Sequence, residues 1–214
     1  MTRIGLTQRV ITIPGVQERR DSLDQRWTSL VTGLGFVPVP LPNMLSDIDA
    51  YLEELRLDGV ILTGGDDVLE YATENSATPE RDTLEHALID YCLSHDLPLL
   101  GVCRGLQALV NHFGGKLRPV NDHVAVRHAI AIDDSFVTGV SRPVDVNSFH
   151  NFGLTEDDLP GVLRPTAWAD DSTVEAAIFN GRRIAGIMWH PEREESLVDW
   201  DRALMTEMFG TVAG

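Results

Sequence analysis

The stretch Leu97-Pro98-Leu99-Leu100-Gly101-Val102-Cys103-Arg104-Gly105-Leu106-Gln107-Ala108-Leu109-Val110-Asn111-His112 decides how the rest of the chain is read. Leu97 to Val102 is an apolar run of strand length, and Arg104 to His112 carries its apolar residues at helical spacing. Cys103 stands between them. A strand that turns into a helix through one residue is the layout of a nucleophile elbow, and Gly101 and Gly105 supply small residues around the reversal. A thiol there meets unpaired N–H groups and the positive end of the helix, both of which favour the thiolate. The N–H of Arg104 would face a carbonyl under attack and form half of an oxyanion hole. The competing fate of such a cysteine is plain burial in the core. Cys92, inside a helical pattern beside Tyr91 and Leu93, reads as structural.

Upstream, residues 3–8 read as an opening strand and residues 21–33 as a helix through Leu23, Trp27, Leu30 and Val31. Phe36 to Pro40 is a strand whose prolines place it near a sheet edge. Asp47 to Leu55 is a helix capped by Ser46 or Asp47. Asp58 to Thr63 is an apolar strand running into Gly64-Gly65, followed by a polar loop and a helix over Arg81 to Ser94. Downstream, Val124 to Val126, Ala129 to Ile132 and Pro143 to Ser148 read as strands. Val174 to Phe179 and Arg183 to Met188 are joined by Asn180-Gly181, a strong hairpin signal. Leu197 to Phe209 closes the chain as a helix. Strands alternating with helices imply an α/β fold with a largely parallel sheet and helices on both faces, its active site at the carboxyl ends of strands. A chain of 214 residues is expected to form a single catalytic domain over 1–214.

A thioester mechanism needs a base. Among seven histidines, His190 is the best placed, at the end of a predicted strand, and Glu192 follows it past the rigid Pro191. A carboxylate there can accept from the imidazole and fix its tautomer. Gly64-Gly65 either brings a second backbone N–H to the oxyanion or is a simple turn. Asp66 and Asp67 either cap the next segment or face a cationic group. Gln107, one helical turn after Cys103, shares its face and can touch a polar substrate. No metal or other cofactor is expected: His123 and His128 form no ligand-spaced cluster with cysteine, and no phosphate loop or dinucleotide fingerprint is present.

Lys plus Arg number 17 against 33 Asp plus Glu, a formal net charge of −16. Such a surface repels nucleic-acid backbones, so no nucleic-acid partner is expected. Two cysteines are too few for a disulfide scaffold, and no apolar run approaches the roughly 20 residues of a membrane span. With no leader-like pattern before Arg3-Ile4-Gly5-Leu6, the expected location is cytoplasmic, away from membranes.

Three motifs together, Leu62-Thr63-Gly64-Gly65-Asp66-Asp67, Gly101-Val102-Cys103-Arg104-Gly105-Leu106-Gln107 and Gly186-Ile187-Met188-Trp189-His190-Pro191-Glu192, resemble the class I glutamine amidotransferase superfamily. More narrowly they resemble its peptidase C26 branch of γ-glutamyl hydrolases, and the resemblance spans essentially the whole chain. Arg81-Asp82 with Glu85 is similar to the family's helix before the nucleophile strand. The resemblance implies a flavodoxin-like, mostly parallel sheet flanked by helices with an additional antiparallel portion, and a triad of Cys103, His190 and Glu192. It implies oxyanion donors at Gly65 and Arg104, and a substrate site around Gly64, Gln107 and the loop Asn147, Ser148, Phe149 and His150. The implied partner is a small γ-glutamyl molecule, with a second copy of the chain as a further option. A glutaminase role would need a separate synthase chain, and a non-catalytic binding protein would leave Cys103 unreactive.

The arginine of Gly-Val-Cys-Arg-Gly leans towards the free-standing hydrolases. Members acting on γ-glutamyl-γ-aminobutyrate carry a second histidine in the substrate loop, whereas here His150 is followed by Asn151-Phe152. The stretch Glu18 to Trp27 is similar to a branch that hydrolyses γ-glutamyl-CDP-amidate in bacterial capsule phosphoramidate synthesis. Arg19, Arg20 and Arg26, read on a surface helix, would then pair with phosphate or simply be solvated. Loops at roughly 10–22, 66–80 and 112–125 are expected to shape the pocket.

Overall fold

Apolar residues alternate along the central strands, and the two faces they define are each covered by helices. The computed structural model describes residues 1–16, 18–72, 77–133, 136 and 143–210, so residue 17 and residues 73–76 of the expected pocket loops lie outside it. Strand β1 (Arg3–Leu6) is followed by β2 (Arg9–Ile13), β3 (Glu18–Ser22), helix α1 (Gln25–Gly33) and β4 (Val37–Pro40). Helix α2 (Ile48–Leu55) leads to β5 (Gly59–Leu62), and α3 (Pro79–His95) leads to β6 (Leu99–Val102) and α4 (Arg104–His112). Strands β7 (Arg118–Pro119), β8 (Val124–Ile132), β9 (Val144–Phe149) and β10 (Phe152–Gly153) come next. Then β11 (Leu163–Ala169), β12 (Val174–Phe179) and β13 (Ile184–Ile187) precede α5 (Asp199–Phe209).

Nine strands form one sheet in the order β4-β1-β5-β6-β13-β12-β11-β8-β9. From β4 to β13 all neighbours are parallel; from β13 to β9 all are antiparallel. The sheet is therefore the expected α/β arrangement with an antiparallel extension, and β13 belongs to both halves. Ile4, Leu6, Ile61, Leu100, Val102 and Ile187 pack on one face with Trp27 and Val31 of α1 and Met205 and Phe209 of α5. Val60, Leu62, Leu99 and Ile184 pack on the other with Leu52 of α2, Leu88 of α3 and Leu106 and Leu109 of α4. Strand β4 lies at the edge, as its prolines indicated. Asp47 caps α2 by accepting from the Ala50 N–H at 3.0 Å, and Gly181, at φ 78°, turns the β12–β13 hairpin.

Three expectations need correction. The helix drawn over 21–33 begins at Gln25 after Asp24, whose side chain accepts from the Arg26 N–H. Residues 18–22 instead pair antiparallel with β2 as a hairpin, and this cross-strand pairing overrides helical propensity. Arg19 and Arg20 therefore sit on a strand, and Arg26 alone on the helix. The two short strands at 124–126 and 129–132 are one strand. Ala125, at φ 55°, forms a bulge against β9 that breaks its alternation. Finally, β11 lies in a segment where the sequence indicated no element; it pairs with both β12 and β8 and carries register shifts around Pro165 and Ala167.

Gly101 and Gly105 are small because α4 is pressed onto the sheet. A Cβ at Gly101 would stand 2.5 Å from the Gly105 carbonyl, and one at Gly105 would stand 2.3 Å from the Leu62 oxygen. Both obstacles are backbone, so neither side can yield without lifting the helix. Gly105→Ala is expected to destabilise the protein by roughly 3 kcal/mol in urea denaturation. Gly161→Ala, where no atom lies within 4 Å of the added carbon, should stay within about 0.5 kcal/mol.

Candidate active site

Cys103 follows β6 and caps α4 with φ 52° and ψ −103°. A non-glycine residue so placed carries about 1–3 kcal/mol of strain and persists only where neighbours fix it. Here its N–H donates to the Ile187 carbonyl at 2.7 Å, and its own carbonyl accepts from Leu106 and Gln107. The backbone is thus held between β13 and α4 while the side chain points into a cleft. Arg104 is the first helical residue, whose N–H has no partner within the helix.

His190 is buried and lines the same cleft as Cys103. Its Nδ1 lies 2.8 Å from Oε1 of Glu192, itself buried. Burial alone would push His190 down; the Cys103 sulfur and Glu192 outweigh it and raise the group to about 9, favouring the imidazolium. Asn147 on β9 holds the same residue by its backbone. Its Oδ1 accepts from the His190 N–H at 3.0 Å, and its Nδ2 donates to the His190 carbonyl at 2.9 Å. Phe149 meets the imidazole edge-on, with ring centres 5.7 Å apart. A Cβ at Gly64 would come within 2.5 Å of the His190 ring, so only glycine lets this loop lie against the pair.

The cleft measures about 310 Å³ and is lined by Cys103, His190, Gly65, Gln107, Phe149 and His150, with Arg9, Asp66, Asp67, Asn151 and Arg193 around them. Gln107 donates to the Phe152 carbonyl at 2.9 Å. Ser148 is buried and donates to the His123 carbonyl at 2.7 Å; like Asn147 and Gly64 it is not among the lining residues. Arg19, Arg20 and Arg26 are not there either. Arg19 pairs with Glu80, Arg20 with Glu18 and Arg26 with Asp24. Arg26 lines a separate hollow of about 590 Å³ beyond Glu192, shared with Arg202. The cations at the cleft are Arg9, which pairs with Asp66 at 3.1 Å, and Arg193, whose guanidinium lies 4.3 Å above the Phe149 ring. Sequence reasoning passed over both. Arg193 adjoins Glu192 and was open to suspicion, whereas Arg9 reaches the cleft only through the β2–β3 hairpin. Spacing likewise gave no reason to join His123, His128 and Glu175, yet their donor atoms all lie within 4.8 Å of one another.

Beneath the cleft runs a chain of buried charges. Arg81 on α3 is fully buried and donates to the carbonyls of Thr63, Gly64 and Gly65. It also pairs with Glu85 at 2.9 Å and Asp66 at 3.2 Å. Arg104 pairs with the same Glu85 and, at 2.9 Å, with Asp82. Burial would raise Glu85, but the two guanidinium groups outweigh it and hold the carboxyl below its ordinary value.

A scan of family models matches peptidase C26 over residues 4–192. The chain belongs to the peptidase C26 family. It is similar to a Campylobacter jejuni γ-glutamyl-CDP-amidate hydrolase, 34% identical over 197 residues that cover 91% of this chain and 92% of that one. It is also similar to an Escherichia coli O157:H7 γ-glutamyl-γ-aminobutyrate hydrolase, 30% identical over 82% of this chain and 80% of that one. Among solved structures, a glutamine amidotransferase from Thermotoga maritima superposes with a TM-score of 0.67, at 19% identity, over 89% of this chain and 76% of that one. The family and these likenesses establish the class I glutamine amidotransferase-like fold. No helix among the described residues is long and apolar enough to cross a membrane.

Removing one member of the buried charge chain strands the rest. Arg81→Met should destabilise by about 3–5 kcal/mol in chemical denaturation, with part of the loss recovered on adding Glu85→Gln. Below the site, buried Asp201 accepts from Trp189 Nε1 at 2.8 Å. Burial first, then Glu194 and Glu192, raise it to about 7 against the Trp189 bond. An acid raised on folding binds its proton more tightly in the folded state. Its stabilisation is complete below the unfolded value near 4 and lost as pH rises through about 7. Asp201→Asn should remove that slope from a Tm-against-pH profile between about pH 4 and 7.

Proposed function

We propose that this chain hydrolyses a γ-glutamyl amide, with Cys103 as nucleophile, His190 as proton carrier and Glu192 as its orienting carboxylate. One observation carries the reading. A thiol on a strained strand–helix elbow shares one cleft with an imidazole whose Nδ1 lies 2.8 Å from a buried carboxylate. The Cys103 sulfur attacks the γ-carbonyl, and the negative charge on oxygen meets the N–H groups of Arg104 and Gly65. Collapse of the tetrahedral intermediate expels the amine, which takes a proton from His190 and leaves a γ-glutamyl thioester. His190, now neutral, draws a proton from water; attack of that water releases glutamate and restores the thiol.

The γ-glutamyl donor is supported by the activities for which both hydrolase relatives are named. For the leaving group the first choice is a nucleotide-linked phosphoramidate, as in γ-glutamyl-CDP-amidate. The relative bearing that name matches nearly end to end, and the lining of the cleft includes Arg9 and Arg193. Guanidinium groups suit the diphosphate better than they suit an aliphatic carboxylate. Asn151 after His150 departs from the γ-glutamyl-γ-aminobutyrate pattern in the same direction.

A release assay should compare γ-glutamyl-CDP-amidate, γ-glutamyl-γ-aminobutyrate and free glutamine. The CDP-linked compound is expected to turn over with the highest kcat/KM. Cys103→Ala should reduce turnover by roughly 10⁴-fold or more while sparing binding. Arg193→Ala should raise KM for the CDP-linked compound by about tenfold and leave glutamine unaffected. Undiminished turnover by Cys103→Ala would end the mechanism. Glutamine hydrolysis that appears only with a co-purifying chain would replace the reading with a glutaminase that feeds a synthase.

A further inference from the structure

Behind the cleft wall, three imidazole rings converge on one buried carboxylate. Glu175 on β12 is fully buried. Its Oε1 lies 3.4 Å from His123 Nδ1 and 3.6 Å from His150 Nε2, and its Oε2 lies 3.7 Å from His128 Nε2. These separations are beyond hydrogen-bond length. All five facing atoms are buried without a hydrogen-bond partner. Leaving so many polar atoms unsatisfied around one point is costly, and native cores rarely do it.

The outward sides of two rings show why a single proton is only a partial remedy. His123 Nε2 lies 3.0 Å from Asp171 Oδ2, and His150 Nδ1 lies 3.0 Å from the Phe152 carbonyl. Both partners are acceptors, so each ring carries its hydrogen on that outward nitrogen. The inward nitrogens then present lone pairs to the lone pairs of Glu175. Converting every ring to an imidazolium would crowd three cations round a single buried carboxylate. One cation in the middle answers all of the lone pairs together.

We infer that His123, His128, His150 and Glu175 form a structural binding site for a divalent transition metal, with zinc the best chemical match. Three imidazole nitrogens and one carboxylate oxygen are a donor set that borderline metals accept and that magnesium and calcium do not favour. Tetrahedral coordination at about 2.0–2.1 Å separates ligand atoms by roughly 3.3 Å; the donor atoms of His123, His128 and Glu175, within 4.8 Å of one another, would draw in around the ion. The outer partners also fit. A carboxylate or carbonyl behind each ligating histidine fixes its tautomer and raises its basicity, the roles open to Asp171 and Phe152. Such an ion joins the residue before β8, β8 itself, the link after β9 and β12. His150 also lines the catalytic cleft, so the ion anchors that wall without taking part in the proposed bond cleavage.

The test uses the full chain, stripped with a chelator and titrated with Zn²⁺ or Co²⁺ alone. The expected result is one equivalent bound per chain and a visible absorption of tetrahedral Co²⁺. Tm should rise by roughly 5–10 °C at metal concentrations ~100-fold above Kd. His128→Gln, at the most exposed of the four positions, and Glu175→Gln should each lose the uptake and the Tm response. Cys103→Ala should keep both. Failure of the stripped wild-type chain to bind beyond the level of His128→Gln overturns the site. Uptake that disappears in Cys103→Ala overturns it too, by locating the metal at the thiol instead.

Discussion

The structure around the cleft depends on placing two guanidinium groups and one carboxylate where water cannot reach them. Arg81, Glu85 and Arg104 come from α3 and the first turn of α4, and they bind one another beneath the elbow. Buried ions are stabilising only when each is paired and its remaining hydrogen-bond capacity is used. Arg81 meets that condition by binding three successive carbonyls of the Thr63 to Gly65 segment. The segment cannot shift without unpairing the arginine, and α4 cannot shift without unpairing Glu85. The Thr63 to Gly65 segment and the Cys103 elbow are thereby referenced to the same carboxylate.

The opposite side of the site is fixed by different means. Asn147 grips the peptide of His190 from both ends, so the imidazole is set by backbone position as well as by Glu192. Its third contact, to Glu194, extends the grip past His190. A residue that reads in sequence as part of a substrate loop thus spends its side chain on His190. Ser148 behaves similarly, tying β9 to His123 rather than opening towards the cleft.

Local chemistry made the centre of the fold legible. The apolar run into Cys103, the helix from Arg104 to His112 and the Asn180-Gly181 turn each carry their signal within a few residues, and each forms where expected. The second hairpin, β11 and the cluster around Glu175 do not. The contacts around them reach far along the chain: Arg9 meets Asp66, and His123 meets Glu175. No period or spacing encodes such meetings; topology creates them. The positive φ lies at Cys103 itself, while the flanking glycines serve close packing. Cys103, His190 and Glu192 stand out from motif order, whereas the residues packed around them required coordinates.

Strand β13 has one consequence beyond architecture. Ile187 pairs with Val102, and the two strands end one residue before Cys103 and a few residues before His190. The two proposed catalytic residues therefore follow directly on neighbouring strands of one hydrogen-bonded ladder. A slip of one strand by a single residue would turn both inward faces outward and ruin the core before it merely misaligned the chemistry. The points from which Cys103 and His190 depart are consequently as fixed as the sheet itself. Sequence change is free to act on the walls of the cleft while these two departure points stay in register.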